Sequence, residues 1–405
     1  MSAGSISTTL KPIRKLGPVA WLRKNLFNGW FNSILTIITL YILIRFFIGL
    51  IGWLAAANWA PVTTSPILYA VGQYPQVELF RVGICLWIVS FLFGLSWAIW
   101  GNIIRNFAIM LMVGFLFLAI FLPFELADIT QTTLRLFFLS NIAVVMIGYG
   151  LGRRTVLGKA RWVLVAWFLS LPAIVILLHG LPSVEALPVV ETTVWGGLML
   201  NLLIAAVGIA ASFPLGILLA LGRRSTLPVV KVFCTVFIET IRGVPLVTIL
   251  FMFSIMLPLF LTGDIRIDRL LRALIGITLF SSAYMAENIR GGLQAIPFGQ
   301  YDAAKAIGLS STLTMLLIIL PQAIRLVIPA IVGQFISLFK DTTLVSIVGL
   351  IDILGIGRSI LASKPEWTSS QAEVYIFIAI VFWIFTYSMS YSSRRLEKAM
   401  GVGVR

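Results

Sequence analysis

Residues 290–325 read RGGLQAIPFGQYDAAKAIGLSSTLTMLLIILPQAIR, the longest polar stretch between the apolar runs of the carboxyl-terminal half. On either side the chain is nearly free of charge over lengths that suit a bilayer, which needs about 20 mostly apolar residues per helical crossing. Runs near 194–221, 229–260 and 270–289 precede this stretch, and runs near 327–350 and 373–393 follow it. Five more lie upstream, near 32–56, 82–101, 107–124, 134–151 and 162–180. The whole chain of 405 residues is 60% hydrophobic and 11% charged, far from the composition of a water-soluble domain. The expectation is an all-α polytopic membrane protein with about ten transmembrane helices, which excludes an ordinary soluble enzyme.

The net charge of +15 reads as a topology signal. Twenty of the thirty Lys and Arg residues fall in the leading tail (Lys11, Arg14, Lys15, Arg23, Lys24) and in alternate connections, such as Arg153, Arg154, Lys159 and Arg161. The opposite loops, 57–80, 125–133 and 181–193, hold no Lys or Arg but do hold Glu78, Glu125, Asp128, Glu185 and Glu191. Arg266, Arg269, Arg272, Arg358 and Lys364 break the alternation and sit among acidic residues. Bases are retained on the cytoplasmic side during insertion, so both termini and 290–325 are expected there. The leader is too long and too weakly apolar for a cleaved signal peptide. The charge therefore gives no reason to expect nucleic acid as a partner.

Several chemistries drop out. Cys85 and Cys234 lie in apolar runs and His179 is the single histidine, so no metal cluster or disulfide framework is expected. Gly148, Gly150 and Gly152 form a glycine string that no strand precedes, and no G-x-x-x-x-G-K-[ST] loop occurs. Without that loop the chain is not expected to hydrolyse ATP.

Within 290–325 the spacing is particular: Asp302, Ala303 and Ala304, three residues, Gly308, nine residues, then Ile318, Leu320 and Pro321. Small alanines allow a short helix to approach another protein closely, Gly308 ends it with a backbone few other residues adopt, and Asp302 near its start would suit the helix dipole. This pattern resembles the EAA loop of ABC importer permeases, with Asp302 where the family has Glu. Ala283–Gly291, Ile296-Pro297-Phe298-Gly299-Gln300, Pro321–Arg325, Leu338–Leu344 and Arg242–Leu246 are similar to blocks of the polar-amino-acid branch. The extended front half is similar to permeases of broad-range L-amino-acid importers. The resemblance implies a five-helix permease core over 191–405 preceded by a five-helix extension over 1–190, in a bacterial inner membrane. It implies an ATPase dimer as partner, carrying ATP and Mg, into which Pro297, Gly299, Asp302, Ala303, Ala304, Gly308, Leu320 and Pro321 would couple. It also implies a second, related permease chain and an extracytoplasmic amino-acid-binding protein, with lipid around the whole.

Ionisable groups inside apolar runs are costly and mark function by default. Lys340 and Asp341 fall near the middle of the ninth run, beside Thr342 and Thr343. A zwitterion crossing a bilayer needs compensation for both charges, which such a pair with hydroxyls supplies; a self-neutralising structural pair is the equal alternative. Glu287 is expected to contact Arg290 or the loop. Glu239 and Arg242, three apart on one helix face, suit an ion pair just before a break at Pro245, either at a gate or at a plain helix interface. A competing class, an ion-coupled secondary transporter, would also have ten helices, but it has no need of a docking helix in 290–325. A membrane enzyme would need a cluster of nucleophile, base and metal ligands that is not visible here.

Overall fold

The computed structural model describes residues 17–121, 131–154, 159–261 and 267–401. Lys11, Arg14, Lys15, Glu125, Asp128 and Arg266, used above to read topology, lie outside the described residues. The chain divides into a small amino-terminal unit up to Asn58 and a large unit from Trp59 onward.

The small unit holds α1 (Pro18–Asn25) and α2 (Trp30–Ala56). Proline at the start of α1 costs nothing, because its missing N–H would lack a partner there anyway. α2 is apolar around its whole circumference and buries no side chain, the pattern of a helix made for lipid on all sides. Its 27 residues extend about 40 Å, enough to cross a bilayer.

The large unit begins with α3 (Ala60–Thr63), α4 (Pro66–Val71) and a 3-10 turn at Gln76–Glu78, followed by α5 (Leu79–Trp100), α6 (Asn102–Phe121), α7 (Gln131–Arg154) and α8 (Ala160–His179). The glycine string lies on α7, and two of its members, Gly148 and Gly152, serve packing. A Cβ at Gly148 would stand 2.4 Å from the Phe91 carbonyl oxygen, and one at Gly94 would stand 2.1 Å from that of Val145. α5 and α7 therefore meet backbone to backbone, as small residues permit between membrane helices.

Next come α9 (Gly197–Arg223), α10 (Pro228–Gly243), α11 (Leu246–Phe251), a π turn, α12 (Leu257–Phe260), α13 (Arg269–Gln294), α14 (Phe298–Ala306), α15 (Ser311–Leu313), a second π turn and α16 (Leu320–Asp341). A 3-10 stretch at Thr342–Val348, α17 (Ile353–Ser363) and α18 (Gln371–Ala399) complete the described chain. α13 is the central post, packed against α9, α10 and α16. Among the described residues nine helices are long and apolar enough to cross a membrane, or ten if the bent pair Pro228–Gly243 and Leu246–Phe260 is one span. That pair turns through 108° at Val244-Pro245, where proline forbids the helix to run on.

Two boundaries differ from the sequence reading. The polar loop is shorter than 290–325, because α13 runs to Gln294 and the next span begins at Ser311. Residues 313–320 are almost all apolar and extend the next span; the wide turn at Thr314–Ile319 makes room for Pro321, whose ring would clash with an α-helical carbonyl four residues back. Consequently Lys340 and Asp341 are not mid-helix. They close α16, and the apolar run continues beyond them as the tighter 3-10 coil.

At the end of the bundle where α9 begins, the base-poor loops interlock. Gly72 pairs with Trp195, and Gly196 and Gly197 pair with Ile351 and Asp352 as isolated bridges. A Cβ on Gly72 would lie 2.5 Å from the Gly196 Cα, so the crossing of these two backbones requires glycine. Tyr74 donates to the Leu178 carbonyl at 2.8 Å, and the wholly buried Arg81 donates to that of Pro188 at 2.9 Å while pairing with Glu78 at 2.8 Å. From Trp59 onward, loop 57–80, which carries no recognisable motif, is thus part of the core that joins α5 and α8 to α9.

Candidate functional site

α14 hangs between α13 and α15 as a helix of nine residues. Pro297 precedes its first turn, and its end is a Schellman closure: Leu309 N–H donates to the Ala304 carbonyl at 3.1 Å, and Gly308 N–H to that of Lys305 at 2.9 Å. Gly308 has φ +80°, a region that side chains with a Cβ resist, and nothing lies within 4 Å of the place a Cβ would take. The glycine is therefore required by backbone conformation and not by crowding.

The alanine pair divides its work. Ala304 is buried against the chain's own core, whereas Ala303, Asp302 and Gly299 face outward. Phe298 and Ile307, at the two ends of α14, are 85% and 74% exposed. Two bare apolar side chains flanking small ones make a compact contact face. Asp302 is the fifth residue of the helix, because Phe298 already opens it; the helix-dipole argument for Asp302 therefore does not hold. Leu320 is buried in the core and Pro321 is exposed in the first turn of α16. Gln322 donates to Gln300 Oε1 at 3.1 Å and pins the loop to α16.

Directly behind α14 stands a cluster of charges. Arg290 grips Glu287 through Nε at 2.9 Å and through Nη2. Arg223 Nη1, from the last turn of α9, is 3.5 Å from Glu287 Oε2, and Arg242 Nη1, from the last turn of α10, is 3.6 Å from the same oxygen. Arg223 Nη2 also holds Glu239 at 2.7 Å. Glu287 therefore contacts Arg290 as expected. Among the described ion pairs, however, Glu239 and Arg242 do not meet each other: Glu239 pairs with Arg223 of α9 and Arg242 with Glu287 of α13, because α10 packs against both helices. The neighbouring Arg224 reaches Tyr301 of α14 at 3.4 Å. Consecutive arginines thus connect α14 to an ion network that binds α9, α10 and α13 together.

At the far end of α9 a different knot forms. Asn201 donates to the Thr342 hydroxyl at 2.9 Å and to Asp352 Oδ2 at 3.2 Å, and accepts from Ile353 N–H at 3.0 Å. Asp352 also caps α17 by accepting from Gly355 N–H at 2.9 Å; its burial raises the carboxyl pKa, and these hydrogen bonds partly offset the rise. Thr342 is wholly buried, and its hydroxyl also donates to the Phe339 carbonyl, so it is fully committed within the fold. Thr343 donates to the Lys340 carbonyl. Lys340 is exposed and Asp341 half-buried, and no ion pair within 4.0 Å joins them among the described residues.

The family model "Binding-protein-dependent transport system inner membrane component" matches residues 212–402. The inner membrane amino-acid ABC transporter permease protein YhdY of Escherichia coli K12 is 39% identical, over 95% of this chain and 94% of its own length. This chain belongs to the ABC transporter permeases. The permease is also 36% identical to the glutamate/glutamine/aspartate/asparagine transport system permease protein BztC of Rhodobacter capsulatus, over 96% of this chain and 95% of that one. A crystal structure of an amino acid ABC transporter with histidines is 30% identical over 50% of the permease and 92% of that chain, at a TM-score of 0.45. The permease is a multi-pass inner-membrane protein, and membership in its family implies ATPase and binding-protein partners in general terms.

Sequence reasoning missed Asn201, Asp352 and Arg223. An asparagine near the start of an apolar helix was the one available signal for the first. The pairing of Arg223 with Glu239 and Glu287 spans 16 and 64 positions and has no local signature.

Proposed function

We propose that the permease is the membrane-spanning subunit of an ATP-driven importer of amino acids, of the broad-range kind its relatives' names suggest. A binding protein delivers substrate to the face carrying the base-poor loops, and a separate ATPase dimer, holding ATP and Mg, docks on α14. Both termini and α14 face the cytoplasm, as the distribution of bases favours. Two docking grooves on an ATPase dimer call for two permease chains, the second a related one. Residues 191–405 form the transport core and 1–190 the extension. This chain binds no cofactor and performs no catalysis of its own.

The observation that carries the reading is α14 itself, sealed inward at Ala304 and bare outward at Phe298 and Ile307. An ion-coupled carrier has no use for such a face. Movement of the docked helix passes through Tyr301 and Arg224 to the network at Glu287, Glu239 and Arg242, whose pairs hold or release the inner ends of α9, α10 and α13. Lys340, Asp341 and Thr343 are the substrate-pathway candidates, with Thr342 placing them from behind. Asp341→Asn is expected to change uptake or substrate range more than it changes assembly; equal loss of both would return the position to a structural role.

The test is cross-linking from Phe298→Cys or Ile307→Cys in native membranes, with capture in detergent. An ATP-binding-cassette subunit, in yields that vary with nucleotide, is expected. Capture of no such subunit under any nucleotide condition rejects the docking assignment.

A further inference from the structure

α18 ends in a basic turn that meets the start of α6. Asn102, Ile103, Tyr391, Arg394, Arg395 and Lys398 line a cleft of about 380 Å³ between these helices. Arg394 and Lys398 are exposed and one turn apart, and Arg395 stands over the Tyr391 ring at 5.0 Å. A hydrogen-bonded chain fixes the cleft's polar wall. Asn106 Nδ2 donates to the Tyr391 hydroxyl at 2.7 Å, Arg395 donates to the same oxygen from Nε at 3.0 Å and from Nη2 at 2.6 Å, and Arg105 donates to Asn106 Oδ1 at 3.4 Å. The Tyr391 oxygen accepts from Asn106 and Arg395, and Arg105 holds Asn106 in place. The nearby carboxylate, Glu397, is occupied by the Ser393 hydroxyl at 2.7 Å.

Above this basic floor α18 carries a ladder of rings. Trp383 stacks on Tyr387 at 5.1 Å and Tyr387 on Tyr391 at 6.4 Å, and Trp383 and Tyr387 are 60% and 47% exposed. The ladder leads along the apolar part of the span and ends at the charged turn. A ligand that fits both halves has a negative head and a long apolar body.

We propose that the seam of α6 and α18 is a specific site for one anionic phospholipid. Its phosphate sits among Arg394, Arg395, Lys398 and the Tyr391 hydroxyl, and an acyl chain lies along Tyr387 and Trp383. Basic pockets between transmembrane helices recognise anionic headgroups, and an arginine fork suits phosphate oxygens. Because α6 belongs to the extension and α18 to the transport core, such a lipid would bridge the two parts of the chain.

The test is native mass spectrometry of the full chain in detergent, offered phosphatidylglycerol or phosphatidylcholine with identical acyl chains. One phosphatidylglycerol is expected to remain bound under activation that strips phosphatidylcholine. Combining Arg394→Gln, Arg395→Gln and Lys398→Gln is expected to weaken retention roughly 100-fold, since each base near a membrane surface contributes about fivefold. Arg153→Gln with Arg154→Gln, at the end of α7, should leave retention unchanged. Equal retention of the two lipids means annular lipid only and overturns the site, as does equal weakening by the α7 variant. Displacement by millimolar inorganic phosphate would show a free-anion site and also overturn it. A second measurement needs no variant: phosphatidylglycerol carrying a photoreactive group on its acyl chain should label the Trp383–Tyr391 segment of the wild-type chain, and labelling spread evenly over all spans contradicts the proposal.

Discussion

Arg223 and Glu287 stand 3.5 Å apart although one ends α9 and the other lies two turns from the end of α13. Their side chains are about one-quarter exposed, so water weakens the attraction without abolishing it. Glu287 answers three guanidiniums at once, and removing its charge leaves Arg223, Arg242 and Arg290 crowded together. Glu287→Gln is expected to lower uptake about tenfold, corresponding to about 1.4 kcal/mol, while membrane insertion stays normal. ATPase activity in the reconstituted complex should become less dependent on the binding protein. Adding Arg223→Gln should recover part of the loss, and uptake assays on the single and double variants decide this.

Gly308 makes a graded prediction. Space around it is open and only the φ of +80° constrains it, so Gly308→Asn, which tolerates that region, should keep most transport. Gly308→Ala should lose more, at about 1 kcal/mol of strain, and Gly308→Val most of all. Uptake into vesicles, scaled to inserted protein, gives the order. A loss set by side-chain size alone, with Asn worse than Ala, would contradict the backbone argument.

Asp352 and Asn201 are a matter of stability. Asp352→Ala removes the cap of α17 and a partner of a buried asparagine, at an expected cost of about 1–3 kcal/mol. The apparent melting temperature in detergent should fall. Thr343→Ala, which loses only a local bond to the Lys340 carbonyl, should scarcely change it.

Glycines of α5 and α7 separate cleanly. Gly94→Leu drives a side chain into the Val145 carbonyl and should cut the yield of monodisperse protein severely. Gly150→Ala meets nothing within 4 Å and should be neutral or slightly stabilising. Size-exclusion profiles of the two variants make the comparison.

Much of this was legible beforehand because its causes are local. Apolar runs of bilayer length marked the spans to within a few residues except the ninth, which begins at Ser311, and Pro245 marked the bend. Gly308 showed itself as a helix stop from the spacing before it. The errors were of a kind a linear reading makes: residues 311–320 looked like loop because Gln322 and Arg325 follow them, and Lys340 and Asp341 looked central because a 3-10 coil and an α-helix are equally apolar. Glu239 and Arg242 looked paired because they share a face of one helix. In the fold, stronger partners on α9 and α13 claim them instead.

Composition and periodicity alone determined that the chain lives in a membrane, about how many times it can cross, and where its polar knuckle lies, since hydropathy and turn chemistry act over a few residues. Only the tertiary structure decided that Ala304 turns inward while Phe298 and Ile307 stay bare, that Thr342 is tied to Asn201, and that three arginines converge on Glu287. Those outcomes depend on which helices stand side by side, and charges or hydroxyls 64 to 141 positions apart compete for partners only once packing has brought them within a few ångströms.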